Sequence, residues 1–372
     1  MNMMFRNKKY KENYMIKKKI LFFIPQLVGG GAERVAINII QLLDKKEFEI
    51  HLVVTTMNGS VYKKLPDSIT IHDLNVNKTL LSIFKLRRLI IKLNPDIIYS
   101  SLIRGNIAIY LSLLAVWTRP YLVLRSPNSP KLLIENNQMS ILEKYLLEKS
   151  YNKANKIIAQ TPEMKNEINC YHNVNLNKID VLFNPINTDT INNKIINVSN
   201  PFDSTKINVV AAGRITYQKG FDILIKSFKK VVEKNSLFQL YIIGESTGDE
   251  ILELKILIEK LALKDNVLFV GYTDNPYRYF YFSDLYVLSS RWEGLPNTVL
   301  ENLYLKKPII ATKCIPFMND LIVNKVNGIL VDVENINELA SAILNYKVIS
   351  LKSRKQDNSK ENINDFFKNL KV

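Results

Sequence analysis

Cysteine is nearly missing from this chain: Cys170 and Cys314 stand alone among 372 residues. Two cysteines build no disulfide framework, and neither is flanked by metal-ligand spacing. A reducing, cytoplasmic setting fits that usage. Histidine is as scarce, with only His51, His72 and His172. No Asp-x-Asp pair offers itself to a metal, so a metal-independent chemistry with no cofactor is expected. Long apolar runs are also missing. A bilayer span needs about 20 residues, and the nearest approach is "NIAIYLSLLAVW" at 106–117, closed by Arg104 and Arg119. That stretch reads as a buried helix, which excludes a spanning protein but not a peripheral one. "ILFFIPQLV" is too short for a signal peptide's apolar core. No small-residue cleavage site follows it, because "GGGAER" runs on into a helix. No basic face interleaved with aromatics and no known nucleic-acid module is present, so nucleic acid is not the expected partner.

What the chain has in excess is positive charge, a formal +16. An anionic partner explains it. Compositional drift in a chain rich in Lys, Asn and Ile explains part of it equally well. The exception is "RNKKYKENYMIKKK" at 6–19, where lysines are interleaved with Tyr10, Tyr14 and Met15. This segment, 1–18, reads as a surface arm for an anionic membrane.

With 47% hydrophobic and 23% charged residues the chain is globular, and it is too long for one core. Short apolar runs alternate with helical spacing. Strands are expected at 19–27, 48–56, 95–101, 121–126, 156–161 and 179–184, with helices at 32–44, 80–93 and 139–152. The pattern stops at the polar, Asn-rich stretch 186–206, which reads as a linker. A second series follows. Its strands are 207–213, 238–244, 266–271, 285–290, 308–312 and 328–332, with helices at 220–234, 249–262 and 297–305. Buried strands alternating with helices mean parallel, doubly wound sheets. The expectation is therefore α/β, with two Rossmann-like domains at 19–190 and 207–345, a cleft between them and a tail at 346–372. "ENINDFFKNL" in that tail is a candidate helix crossing back to the first domain.

Ligands in such sheets bind beyond the carboxyl ends of strands, and the notable motifs all fall there. "GGGAER" (29–34) joins the first strand to the first helix, so Gly30 and Gly31 let backbone approach an anion at the helix N-terminus. It is not a GxGxxG fingerprint, and a plain tight turn reads equally well. "AAGRITYQKG" (211–220) places Arg214 and Lys219 around a turn, where a fork and a point charge grip a diphosphate. Two solvated surface cations are the bland alternative. "SSRWEGLPNTVLENL" (289–303) puts Glu293 in a loop and Glu301 about one turn inside the following helix. Pro296 suits the first helical position and Asn297 the N-cap. Two carboxylates at different depths match two hydroxyl pairs on one ligand, with a diphosphate between them.

These motifs resemble those of the large retaining family 4 of GT-B fold glycosyltransferases. Its E-x7-E motif of the form "EGxPNxxxEA" stands here as "EGLPNTVLEN", its glycine–arginine turn as "GRITYQKG", and its "GGAER" opening at 30–34. "GYTDNPY" (271–277) also matches. The likeness runs from about 19 to 345. It implies a donor-binding second domain and an acceptor-binding first domain. Glu293 would contact donor sugar hydroxyls, Glu301 would hold the ribose, and Arg214 with Lys219 would clamp the diphosphate. Backbone near Gly294, Leu295, Asn297 and Thr298 would line the sugar and phosphates, with Gly30 and Gly31 facing them. Gly244 and Tyr272 fall at strand ends on the donor side, the latter where the base is cradled. Many members carry a His at the end of the strand written here "YLVLRSPNSP". This chain has Arg125 and Ser126 there, on the acceptor side. The resemblance thus implies transfer of a hexose or N-acetylhexosamine from a UDP-sugar to a lipid-linked, cell-surface glycan at an anionic membrane. A UDP-sugar epimerase of the same fold is the alternative, disfavoured by the few histidines.

Overall fold

The computed structural model describes residues 17–27, 30–57, 65–114, 116–135, 139–246, 248–351 and 359–372. Most of the basic arm, residues 1–16, lies outside the described residues, as does Gly29 of the glycine turn.

The apolar runs form two sheets, and every strand pairing in them is parallel. The first contains β1 (Lys18–Phe23), β2 (Phe48–Val54), β3 (Thr70–Asp73), β4 (Ile97–Ser100), β5 (Tyr121–Arg125), β6 (Lys156–Ala159) and β7 (Ile179–Val181). Their order is β3-β2-β1-β4-β5-β6-β7. The second contains β8 (Ile207–Ala212), β9 (Phe238–Ile243), β10 (Val267–Gly271), β11 (Leu285–Leu288), β12 (Ile309–Thr312) and β13 (Gly328–Val331), in the order β10-β9-β8-β11-β12-β13. In each sheet the order reverses beside the first strand, β1 or β8. Chain crossing away from that strand on both sides opens a crevice at its carboxyl end. The central strands are sealed on both faces: Ile20, Leu21, Phe22 and Phe23 have no exposed surface. This is why they read as unbroken apolar runs and not as alternation.

Some elements differ from the sequence expectation, and one apolar run meets it. β3 was not expected, because an edge strand reading "TIHD" has exposed ends and no apolar run. The stretch 186–206 is not all linker: Thr188–Ile195 is a helix. The Asn187 side chain accepts a hydrogen bond from the Thr190 amide at 3.0 Å, and one buried residue, Ile191, anchors it. A single apolar anchor gives no periodicity to read. The run at 106–117 belongs to the helix Ile103–Leu113, which buries Ile107, Ala108 and Ile109. Among the described residues no helix is long and apolar enough to cross a membrane.

The chain's end returns to its beginning. The helix Ser359–Lys368 packs Ile363 and Phe367 into the first sheet's core. The Phe367 ring lies 6.2 Å from both Phe22 and Tyr99 and 6.4 Å from Phe48. Asn364 stitches the helix Gly31–Leu42 at its end, donating to the Leu42 carbonyl at 2.9 Å and accepting from the Asp44 amide at 2.8 Å. Replacing a buried phenylalanine by alanine costs about 3–5 kcal/mol. Phe367→Ala should therefore lower the unfolding free energy of the first half by that amount, although it lies far away in sequence. A loss under about 1 kcal/mol in urea unfolding would show that the returning helix is dispensable.

Candidate active site

Lys219 closes a 3-10 turn, Tyr217–Lys219, that follows β8. Its stem lies over Gly213, where a Cβ would stand only 3.0 Å from Lys219 Cε. Its ammonium is ion-paired with Glu293, whose Oε1 also accepts from the Ser290 hydroxyl at 2.7 Å. Arg291 holds the two loops together. It bonds both Asp222 oxygens at 2.9 and 3.0 Å and the Tyr217 carbonyl at 2.7 Å, and it stacks 3.8 Å from the Tyr217 ring. A planar fork with several acceptors is a rigid staple. Arg214 is exposed on the same wall and, among the described residues, makes no ion pair.

The loop after β11 is gripped from the first half. Gly294 passes so close to Pro127 that a Cβ would lie 2.8 Å from its carbonyl oxygen. Leu295 has both backbone groups taken: its amide donates to Gln160 Oε1 at 3.0 Å, and its carbonyl accepts from Asn184 Nδ2 at 2.9 Å. Asn297 begins the helix Asn297–Tyr304 instead of capping it, and Pro296 occupies the cap position. The reason is that the Asn297 side chain is spent across the cleft. It donates to the Gly31 carbonyl at 3.1 Å and accepts from Asn184 at 2.7 Å. The Thr298 hydroxyl accepts from Tyr286 at 2.6 Å.

Glu301 is 2% exposed and does not line the open cleft. Its Oε1 is ion-paired with Arg34, and the Tyr277 hydroxyl lies between them, 3.3 Å from the carboxylate and 3.1 Å from Arg34. Burial raises the carboxyl's pKa, and Arg34 opposes that rise. The same pairing holds Arg34 above its ordinary value. Glu301 Oε2 is buried without a hydrogen bond.

Several expected site residues are placed differently. Tyr272 is 41% exposed, directs its hydroxyl to Asp274 at 3.1 Å, and is not part of the cleft wall. Tyr277, five residues on in the same motif, is the one that reaches the site. Gly244 also stands off the wall. It packs under Gly213, where any Cβ would lie 1.9 Å from the Gly213 carbonyl oxygen. The Gly30 amide does not face the cleft as a free donor, because it donates to the Glu33 carboxylate. Arg125 lines the cleft floor but is 1% exposed, holding the Leu182 carbonyl at 3.0 Å and Asn184 Oδ1 at 2.6 Å. Ser126 is buried and bonds the Asn128 carbonyl at 3.0 Å, away from the wall. Arg34 and Tyr277 lay within motifs already singled out in the sequence, and Asn184 at the end of an expected strand. Gln160 carried no signal.

The cleft between the sheets measures about 960 Å³ and is lined by Gly30, Gly31, Arg34, Arg125, Arg214 and Lys219, together with Glu293 to Thr298. Among the described residues no cluster of three or more His, Cys, Asp or Glu side chains offers a metal site. Two parallel Rossmann-like sheets meeting across such a cleft define a GT-B architecture. HepE of Anabaena, solved in complex with UDP, superposes with a TM-score of 0.77 at 19% identity, over 94% of this chain and 98% of that one. Residues 192–363 match the family model described as Glycosyl transferases group 1, and residues 29–190 the one described as Glycosyltransferase Family 4. The chain belongs to the group 1 glycosyltransferases and is a transferase enzyme. It is 28% identical over 336 residues to N-acetylgalactosamine-N,N'-diacetylbacillosaminyl-diphospho-undecaprenol 4-alpha-N-acetylgalactosaminyltransferase of Campylobacter jejuni, covering 87% of this chain and 88% of that protein. It is 26% identical to the amylovoran biosynthesis glycosyltransferase AmsD of Erwinia amylovora, over 91% and 92% of the two chains.

The Arg34–Glu301 pair makes a testable point. Removing one partner of a buried pair strands the other charge, at a cost of about 3 kcal/mol here, since Arg34 keeps 31% of its side-chain exposure. Arg34→Met should be destabilised by that amount at neutral pH. The sign with pH follows from the raised carboxyl pKa. The folded state takes up the Glu301 proton before the unfolded state does. The penalty is therefore full above the raised folded value and shrinks as pH falls toward the ordinary carboxylate range. Equal midpoints for variant and parent across that window, in urea titrations at several pH values, would remove the pair from the stability of the site.

Proposed function

We propose that this transferase moves a hexose or N-acetylhexosamine from a UDP-sugar to a lipid-linked acceptor of a cell-surface glycan. In this reading it retains the anomeric configuration without a metal, in the cytoplasm at the inner face of an anionic membrane. The observation that carries the reading is the convergence of Arg214, Lys219 and Glu293 on one cleft wall at the carboxyl ends of β8 and β11. The likeness to the C. jejuni enzyme, whose name specifies a diphospho-undecaprenol acceptor, supports the acceptor class.

The roles follow from the chemistry of the groups. Arg214 and Lys219 hold the diphosphate and carry its charge as it leaves. Glu293, already tied to Lys219 and Ser290, accepts hydrogen bonds from donor sugar hydroxyls. Glu301, paired with Arg34 through Oε1, offers Oε2 to the ribose hydroxyls. Arg125 and Ser126 stand on the acceptor side. The bond from the anomeric carbon to the diphosphate oxygen breaks while the acceptor oxygen bonds to the same face. The acceptor's proton passes to the departing diphosphate. No protein nucleophile is required, in contrast to retaining hydrolases, which set two carboxylates across the bond. The epimerase alternative has no support among the relatives, which are transferases.

Losing a charge-assisted contact costs about 1.5–3 kcal/mol. Arg214→Ala should weaken UDP binding by that amount in calorimetry while leaving the unfolding midpoint unchanged. Unchanged affinity would remove Arg214 from the clamp. The reaction itself is read by incubating candidate UDP-sugars with short lipid-linked acceptors and assigning the linkage by NMR. An α-linked product from an α-donor is expected. A β-linked product would refute retention, and an epimerised UDP-sugar with no transfer product would favour the alternative.

A further inference from the structure

The first half presents one face on which apolar side chains are exposed without cover. The helix Ile83–Leu93 shows Phe84, Arg88 and Ile91 at spacings of four and three, so they form one stripe. Phe84 is 73% exposed. The helix Ile141–Lys153 shows a second stripe, Ile141, Tyr145 and Lys149, with Ile141 91% exposed and Lys149 5.3 Å from the Tyr145 ring. The helix Ile103–Leu113 lies between them and is bonded to both. Arg87 donates to the carbonyls of Leu111 and Ser112 on one side, and Arg104 pairs with Glu143 on the other. Beyond its last turn Trp117 is fully exposed. Single exposed apolar residues need no explanation. Two aligned stripes on neighbouring helices, with a bare tryptophan, form a patch that water does not favour.

The charge around the patch is positive on balance, although the helix Ile141–Lys153 also carries Glu143 and Glu148 beside its lysines. From Leu74 to Ile134 the sequence contains nine lysines and arginines and one acidic residue, Asp96. Asp96 is engaged at the other end of β1, where its carboxylate accepts from the Lys19 amide at 2.7 Å. Apolar tips set among an excess of cations match the interfacial zone of an anionic bilayer, where rings and aliphatic groups sink and cations meet headgroups. The patch is also continuous with the site. Lys78, Leu80 and Leu81 precede the Phe84 stripe, and all three line the cleft, as do Ile103, Arg104 and Glu143. Leu80 and Leu81 are themselves exposed. A lipid-linked acceptor lying in that bilayer therefore has its polar head at the cleft and its chain beside the patch.

We infer that the face formed by Phe84, Ile91, Trp117, Ile141, Leu142 and Tyr145 docks the enzyme on an anionic lipid surface and delivers the acceptor's head over the lip of Lys78, Leu80 and Leu81. The delivery rests on the lipid-linked acceptor proposed above; the docking does not. It also assigns membrane contact to the folded first half and not to residues 1–18 alone.

The full-length protein and its Phe84→Glu/Ile141→Glu double variant are sedimented with vesicles of phosphatidylglycerol and phosphatidylcholine at low salt, and with phosphatidylcholine alone. Neither residue lines the cleft, and both are exposed enough to tolerate a charge. The parent should bind anionic vesicles and leave neutral ones. The double variant should bind anionic vesicles about tenfold more weakly, since two carboxylates replace apolar contacts next to anionic headgroups. It should transfer to a short, water-soluble acceptor analogue at the parental rate and lose transfer to acceptor embedded in vesicles. Equal vesicle binding by parent and variant overturns the docking face. So does equal binding of the parent to neutral and anionic vesicles. A parental dimer that the double variant dissociates, with no vesicle binding, assigns the face to a second copy and overturns it as well. Vesicle binding by the parent without transfer to any lipid-linked acceptor upholds the docking and refutes the acceptor class.

Discussion

A carboxylate withdrawn from water is the constraint around which this cleft is arranged. Glu301 sits one turn inside a helix with 2% of its surface exposed, a position where an ionised group is costly without a partner. The partner, Arg34, comes from the other half of the molecule. The helix carrying Arg34 must therefore stay opposite the helix carrying Glu301. The turn at Gly30 that starts one and the Pro296 bend that starts the other both follow from that requirement. Tyr277 bonds to both partners, reaching the same Oε1 as Arg34 and leaving Oε2 without a hydrogen bond. The contact is short-range and directional, so it fixes how the halves face each other more tightly than the apolar cores could.

Around it the halves exchange side-chain hydrogen bonds beside the stacked rings of Phe183 and Phe317. Gln160 and Asn184 take both polar groups of Leu295, and Asn297 returns a bond to Gly31. Such contacts stabilise little net, because water can replace them. That suits a cleft which must open to admit one substrate and release another. The rigid part is elsewhere: Arg291, with 8% side-chain exposure, binds the Lys219 turn to the Glu293 loop within the second half alone. The groups assigned to the diphosphate and sugar thus keep their mutual geometry without help from the first half.

Much of this was legible in the sequence because the fold buries whole strands. Twelve of the thirteen strands were expected as apolar runs, and β3 was not, since an edge strand with exposed ends has no such run. The helix Thr188–Ile195 escaped for a related reason: one buried residue cannot set a period. In the site, local motifs named Arg214, Lys219, Glu293 and Glu301, because each sits where a strand ends and a glycine or proline marks the turn. What those motifs left out was the pairing. Arg34 stood in a quoted motif, yet its partner lies 267 positions away. Tyr272 was read for its place just past a strand, whereas the neighbouring helical turn brings Tyr277 to the carboxylate. Gln160 is a lone polar residue at a strand end; its NH2 bonds the Ser126 and Pro127 carbonyls, and only the approach of the Leu295 amide gives its oxygen a task.

Arg125 shows how the cleft carries a cost to hold a shape. It is 1% exposed, and its guanidinium meets only neutral acceptors, the Leu182 carbonyl and the Asn184 amide oxygen. Burial without a counter-charge pulls its pKa below the usual value, with the Tyr99 hydroxyl beside it opposing the shift. Its Nη1 has no hydrogen bond at all. A cation in that position opposes folding unless it does something a neutral side chain cannot. Its bond to Asn184 Oδ1 supplies that function, because an amide whose oxygen is held by a guanidinium must turn its NH2 the other way. The NH2 of Asn184 is the group that reaches Leu295 and Asn297 across the cleft. A neutral imidazole at 125 could present either a donor or an acceptor to that oxygen depending on its tautomer. The guanidinium has only donors. The buried charge thus removes one ambiguity from the contact that aligns the two halves, and the orientation of the loop 294–297 follows from a residue that makes no bond to it.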